Sequence, residues 1–224
     1  MKVQFSSNII RHYLHNVYFI NGHSYAGKST MVTMLAERYD MLPCGENYHD
    51  EVAIAELSRW QQPAMFTLPG RGGWDNWLRM TPEEHWQWMQ AIEQECTEIE
   101  ILECIRRAAG GKKVIVDTNI PPDVLRQISG YHNVAILTGI PEVAAARFFD
   151  REDAEKKEML AQIGRCKDPA AALANFNAWL SYQPPEAIDW AHTGFFTYQR
   201  TDYESDTREA MLAALAAHFG LEQG

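Results

Sequence analysis

The apolar run 17–20, Val-Tyr-Phe-Ile, leads through Asn21 into Gly22-His23-Ser24-Tyr25-Ala26-Gly27-Lys28-Ser29-Thr30, and a helical pattern begins at Lys28. The spacing G-x-x-x-x-G-K-S is that of a loop that wraps a phosphate. Its glycines let the chain curl so that successive backbone N–H groups converge on one anion. Lys28 brings a positive charge to the terminal phosphates, the Ser29 hydroxyl suits Mg²⁺, and the helix that starts beside them adds its positive dipole end. The motif also stands where this chemistry needs it, directly after a strand and directly before a helix.

The rest of the chain alternates in the same way. Short apolar runs at 17–20, 42–44, 114–116, 134–137 and 195–198 read as strands. They lack polar alternation, which suits strands buried on both faces of a parallel sheet. Helical patterns lie between them. One opens on the capping box Thr81-Pro82-Glu83-Glu84 and stops at Gly110-Gly111, one starts at Pro141, and one runs from Asp168-Pro169 to Leu180. A last helix is capped by Asp206 with Glu209. This order predicts an α/β three-layer sandwich. A chain of 224 residues with 46% apolar side chains is expected to form it as one domain, without covalent staples.

Twenty basic against 30 acidic residues give a net charge of −10, which argues against a non-specific binder of nucleic acid or an anionic membrane. No apolar run approaches the roughly 20 residues of a membrane helix. The stretch 1–16 is mixed polar and unlike a secretory leader, and Cys44, Cys96, Cys104 and Cys166 show neither CxxC nor zinc spacing. The expectation is structural thiols in a reducing, cytoplasmic protein.

Two segments exceed the minimal alternation. Residues 46–111 separate the second and third strands as a helical, acceptor-sized insertion, and residues 147–185 form a lid-like region. The insertion carries Trp60, Trp74, Trp77, Trp86 and Trp88 among Arg59, Arg71 and Arg79. Most of these rings are expected to be core, while Arg71, in the glycine-rich loop Pro69-Gly70-Arg71-Gly72-Gly73, is the expected substrate contact. His12 and His15 read as surface, and Met31 with Met34 as core.

A phosphate-binding loop needs a carboxylate on a neighbouring strand to hold the metal. Lys112-Lys113-Val114-Ile115-Val116-Asp117 supplies an apolar strand ending in one. With Phe19-Ile20-Asn21-Gly22 leading into Ala26-Gly27-Lys28-Ser29-Thr30, the chain resembles the small P-loop kinases. These include shikimate and nucleoside monophosphate kinases and the chloramphenicol phosphotransferase-like and polynucleotide kinase-like groups. Asp117-Thr118-Asn119 is similar to a signature of the latter two, and residues 134–137 followed by Pro141-Glu142-Val143, Arg147 and Arg151 are similar to their fourth strand and arginine-bearing lid helix. The likeness covers about half the chain. It implies a five-stranded parallel sheet in the order 2-3-1-4-5, ATP with Mg²⁺, and phosphoryl transfer to a small-molecule or nucleotide acceptor.

Arg147 and Arg151, four apart on a predicted helix, share a face from which guanidiniums would neutralise the transferring phosphoryl group; Arg165 and Lys167 are further lid candidates. The acceptor hydroxyl calls for a carboxylate base. In the resembling kinases it follows the second strand, where this chain offers Asp50 first and Glu46 second. His49 reads as an exposed loop residue. The sequence supports an ATP-dependent kinase acting as a monomer or homodimer. A nucleotide-dependent regulatory ATPase or switch is the alternative, and a GTPase is disfavoured because no Asn-Lys-x-Asp motif occurs.

Overall fold

The computed structural model describes residues 6–46, 48–49, 57–67, 73–150 and 154–221. Its elements are α1 (Ser7–Tyr13), β1 (Val17–Gly22), α2 (Lys28–Arg38), β2 (Leu42–Cys44), α3 (Trp74–Trp77), α4 (Pro82–Ala108), β3 (Val114–Asp117), α5 (Pro122–Ile128), β4 (Val134–Thr138), α6 (Pro141–Ala146), α7 (Ala154–Gly164), α8 (Pro169–Ser181), β5 (Phe196–Gln199) and α9 (Arg208–Phe219). The chain divides into two compact units, one of Met1–Val52, Cys96–Gly139 and Asp189–Gly224, the other of Ala53–Glu95 and Ile140–Ile188.

The first unit holds a five-stranded, all-parallel sheet in the order β2-β3-β1-β4-β5. β1 is central, with Val17 opposite Val114 on one side and Phe19 opposite Val134 on the other. Successive residues divide between two cores, as the period of a strand requires. Ile20, Ile115, Ala135 and Leu137 pack with Met31, Val32 and Leu35 of α2 and Met211, Leu212 and Leu215 of α9. Val17, Phe19, Val114, Val116, Val134 and Ile136 pack on the other face with Cys104 and Ala108 of α4 and Leu125 and Ile128 of α5. Helices therefore cover both faces, the arrangement of a three-layer α/β sandwich, and this is why the strands read as unbroken apolar runs.

Some local expectations shift. The last helix has Thr207 at its N-cap, while Asp206 accepts the Arg208 N–H at 3.1 Å and pairs with its guanidinium. His49 is buried, not exposed, its ring set edge-on to Tyr48 at 5.7 Å. The four cysteines are free thiols.

In the second unit the capping box forms as expected. The Thr81 N–H donates to Glu84 Oε2 at 2.8 Å, and the Glu84 N–H donates to Thr81 Oγ1 at 3.2 Å. Trp77 is the centre of an aromatic core, with ring centroids 5.4 Å from Trp74, 5.9 Å from Trp88 and 4.9 Å from Trp179. Trp86 is half-buried, and Trp60 is 91% exposed. The helix expected to carry Arg147 and Arg151 on one face does not form. Arg147 is the C-cap of α6, and a 3₁₀ turn follows at Phe148–Asp150, bringing Phe148 and Phe149 against Phe176. Phe148 and Phe149 are half-buried there. Among the described residues no helix is long and apolar enough to cross a membrane.

Candidate functional site

The loop after β1 is shaped by its backbone. Gly22 has φ +123° and Gly27 φ +100°, conformations that residues with a Cβ rarely adopt. Tyr25 takes a left-handed φ of +65°, uncommon for a bulky residue, and its ring lies nearly parallel to Tyr203 with centroids 6.4 Å apart. The Arg200 guanidinium lies over the far ring of this column, 4.6 Å from the Tyr203 centroid. The loop is anchored to the end of β4. The His23 N–H donates to the Leu137 carbonyl at 2.9 Å, and His23 Nδ1 lies 3.1 Å from the Gly139 carbonyl oxygen. Burial, reinforced by the Lys28 charge and opposed by the Gly139 hydrogen bond, holds the His23 pKa below its ordinary value.

Gly27 is the N-cap of α2, so this helix begins without a capping side chain, and Lys-Ser-Thr in its first turn adds no acid. Its leading N–H groups and its dipole are left to an external acceptor. Lys28 folds back over the loop, its Nζ donating to the carbonyls of Gly22 and His23 at 3.3 Å each. Asp117, at the end of β3 and opposite Ile20 in register, is buried. Its Oδ2 accepts the Ser29 hydroxyl at 2.7 Å, and its Oδ1 lies 3.9 Å from Lys28 Nζ. Lys28 and Ser29, neighbours in sequence, thus meet Asp117, 88 residues from Ser29, in one cluster at the carboxyl ends of the strands, where open α/β sheets place ligands.

The donor set fits the groups that the sequence implies. Mg²⁺ takes hard oxygen ligands and commonly uses one carboxylate, one hydroxyl and the substrate's own phosphates in place of a protein cage. The Ser29–Asp117 pair supplies the first two. The glycine cradle, the uncapped helix start and Lys28 suit a phosphate chain.

The remaining sequence candidates are placed as follows. Ser24, Ser29 and Thr30 are exposed, whereas Ala26 is buried. Glu46 is exposed, just beyond β2. Arg147 is half-buried in the second unit, and Arg165 is exposed and paired with Glu158 at 3.5 Å. Asp50, Arg71 and Arg151 lie outside the described residues. The sequence reading passed over Asn21, Thr118 and Glu100 as site residues, although all three are at most 2% exposed and hydrogen-bonded around the end of β3. A polar residue inside an apolar strand and an acid inside an apolar helix stripe were the available signals.

No model of a known protein family, no curated protein and no solved structure matches the chain.

Proposed function

We propose that this chain is a nucleotide-binding phosphotransferase of the P-loop kinase class. Its particular activity on this reading is the ATP-dependent phosphorylation of a small-molecule or nucleotide acceptor. The single observation that carries it is the Ser29–Asp117 hydrogen bond at 2.7 Å, with Lys28 alongside, at the uncapped start of α2.

Each residue then has a task. Backbone N–H groups between Ser24 and Ser29 cradle the phosphates, and Lys28 exchanges its two loop carbonyls for terminal phosphate oxygens. Ser29 and Asp117 hold Mg²⁺, which supplies charge neutralisation on the phosphate chain. Tyr25, Tyr203 and Arg200 present flat, polarisable surface beside the loop. Asp50, or Glu46, takes the proton of the acceptor hydroxyl as its oxygen bonds to phosphorus and the bond to ADP breaks.

The test is transfer of label from [γ-³²P]ATP to a panel of acceptor alcohols, sugars, nucleosides and nucleotides, with Lys28→Ala alongside. A labelled small product that depends on Lys28 supports the kinase. Hydrolysis that rises only with an added protein, and yields no phosphorylated small product, would move the assignment to a regulatory ATPase.

A further inference from the structure

Glu100 occupies the buried stripe of α4, spaced by four from Cys96 and Cys104, and is 2% exposed. Stability alone does not call for a carboxylate there, because well-packed apolar residues serve a core at least as well. Its hydrogen bonds indicate what it does. Glu100 Oε2 accepts the Thr118 hydroxyl at 2.7 Å. The Thr118 oxygen in turn accepts the Ile120 N–H at 3.0 Å. The Ile120 carbonyl accepts Asn21 Nδ2 at 2.8 Å, and Asn21 Oδ1 accepts the Gly22 N–H at 2.6 Å. One chain of bonds therefore runs from α4, through the residue that follows Asp117, to the first glycine of the loop.

The polarity of this chain is set at Glu100. The single hydroxyl proton of Thr118 is committed to Glu100 Oε2, and the lone pairs of the hydroxyl are left for the Ile120 N–H. The Thr118 N–H is held separately by the Ile20 carbonyl at 3.0 Å. With its backbone and side chain both tied, Thr118 leaves the preceding residue little freedom. Asp117 must keep one orientation if Oδ2 is to meet Ser29 while Oδ1 faces Lys28.

We propose that Glu100 is a positioning residue for the metal-binding pair: by fixing the Thr118 hydroxyl it holds the turn after β3 and aims the Asp117 carboxylate at Ser29. The inference rests on the metal role given to that pair above.

The experiment uses the full chain as wild type, E100Q, T118V, T118S and D117N. Fold is checked by circular dichroism and thermal melting. Affinity for ATP is measured in EDTA, and affinity of the ATP complex for Mn²⁺, the probe for Mg²⁺, is read by electron paramagnetic resonance. E100Q and T118V are expected to melt cooperatively and bind metal-free ATP within about twofold of wild type, while losing about tenfold in Mn²⁺ affinity, the size of effect seen when a supporting partner of a metal ligand is removed. T118S keeps the hydroxyl and should bind Mn²⁺ as wild type does. If E100Q fails to fold, the T118V and T118S pair carries the comparison. Wild-type Mn²⁺ affinity in E100Q and T118V, with loss confined to D117N, would make Glu100 a mere prop for the helix and overturn the proposal. Wild-type Mn²⁺ affinity in D117N would instead remove the metal role itself, and the inference with it.

Discussion

Gly22 and Leu137 approach so closely that no side chain fits between them. A Cβ built on Gly22 meets the Leu137 carbonyl oxygen at 2.0 Å, and the His23 N–H donates to that same oxygen at 2.9 Å. The contact fastens the first residue of the loop to the end of β4.

Gly22→Ala is accordingly expected to be severe for so small a change. It meets backbone, which cannot swing aside, and it adopts a φ of +123°. A loss of at least about 2 kcal/mol is expected. Urea unfolding reads it directly, and an unchanged midpoint would contradict the close approach.

Lys28→Met keeps the aliphatic stem and removes the charge. The ammonium holds two loop carbonyls at 3.3 Å and faces Asp117, not apolar core. Stability should therefore change by no more than about 1 kcal/mol. Affinity for ATP should fall by tenfold or more through loss of charge-assisted bonds to phosphate. Calorimetric titration separates the two effects, and unaltered ATP affinity would contradict the phosphate role.

The base can be located by kinetics. Asp50→Asn is expected to lower the acceptor-stimulated rate by roughly 10²-fold with ATP affinity unchanged, because a general base acts on the acceptor and not on the phosphate chain. Glu46→Gln shows this pattern instead if Glu46 is the base. Wild-type rates in both variants would exclude Asp50 and Glu46 as the base.

The second unit carries a pH dependence of its own. His85 stacks flat on Trp179, with ring centroids 4.2 Å apart, and burial pushes its pKa down to about 4. Between that value and the ordinary 6.5 the unfolded chain binds the proton and the folded chain does not. Stability is therefore expected to rise with pH across this window and to be lost as pH falls through it. Partial exposure limits the effect to about 1–2 kcal/mol. His85→Phe should flatten the melting profile between pH 4 and 6.5; a profile as steep as wild type would assign the dependence elsewhere.

Much of the fold was legible in the sequence because its signals are local. Five apolar runs, the glycines of the loop, the capping box at Thr81 and the Pro-led helix starts each act over a few residues, and the five-stranded parallel sheet assembles from them. Where a stretch had to satisfy two demands, local pattern misled. Phe148 and Phe149 pack in an aromatic cluster with Trp77 and Trp179, and the helix on which Arg147 and Arg151 were expected to share a face stops at Ala146. His49 is polar and follows a turn, yet it is buried.

By itself the sequence determined the loop between β1 and α2, since Gly22, Gly27, Lys28 and Ser29 lie close together along the chain. What brings Asp117 to Ser29 is the order of the sheet. Parallel pairing of β3 beside β1 joins residues 88 apart. The part played by Glu100 was likewise decided only in three dimensions, because an acid in an apolar helix stripe acquires meaning from the hydroxyl it meets. Pairing energies between strands depend on partners far along the chain, and local propensity carries no record of them.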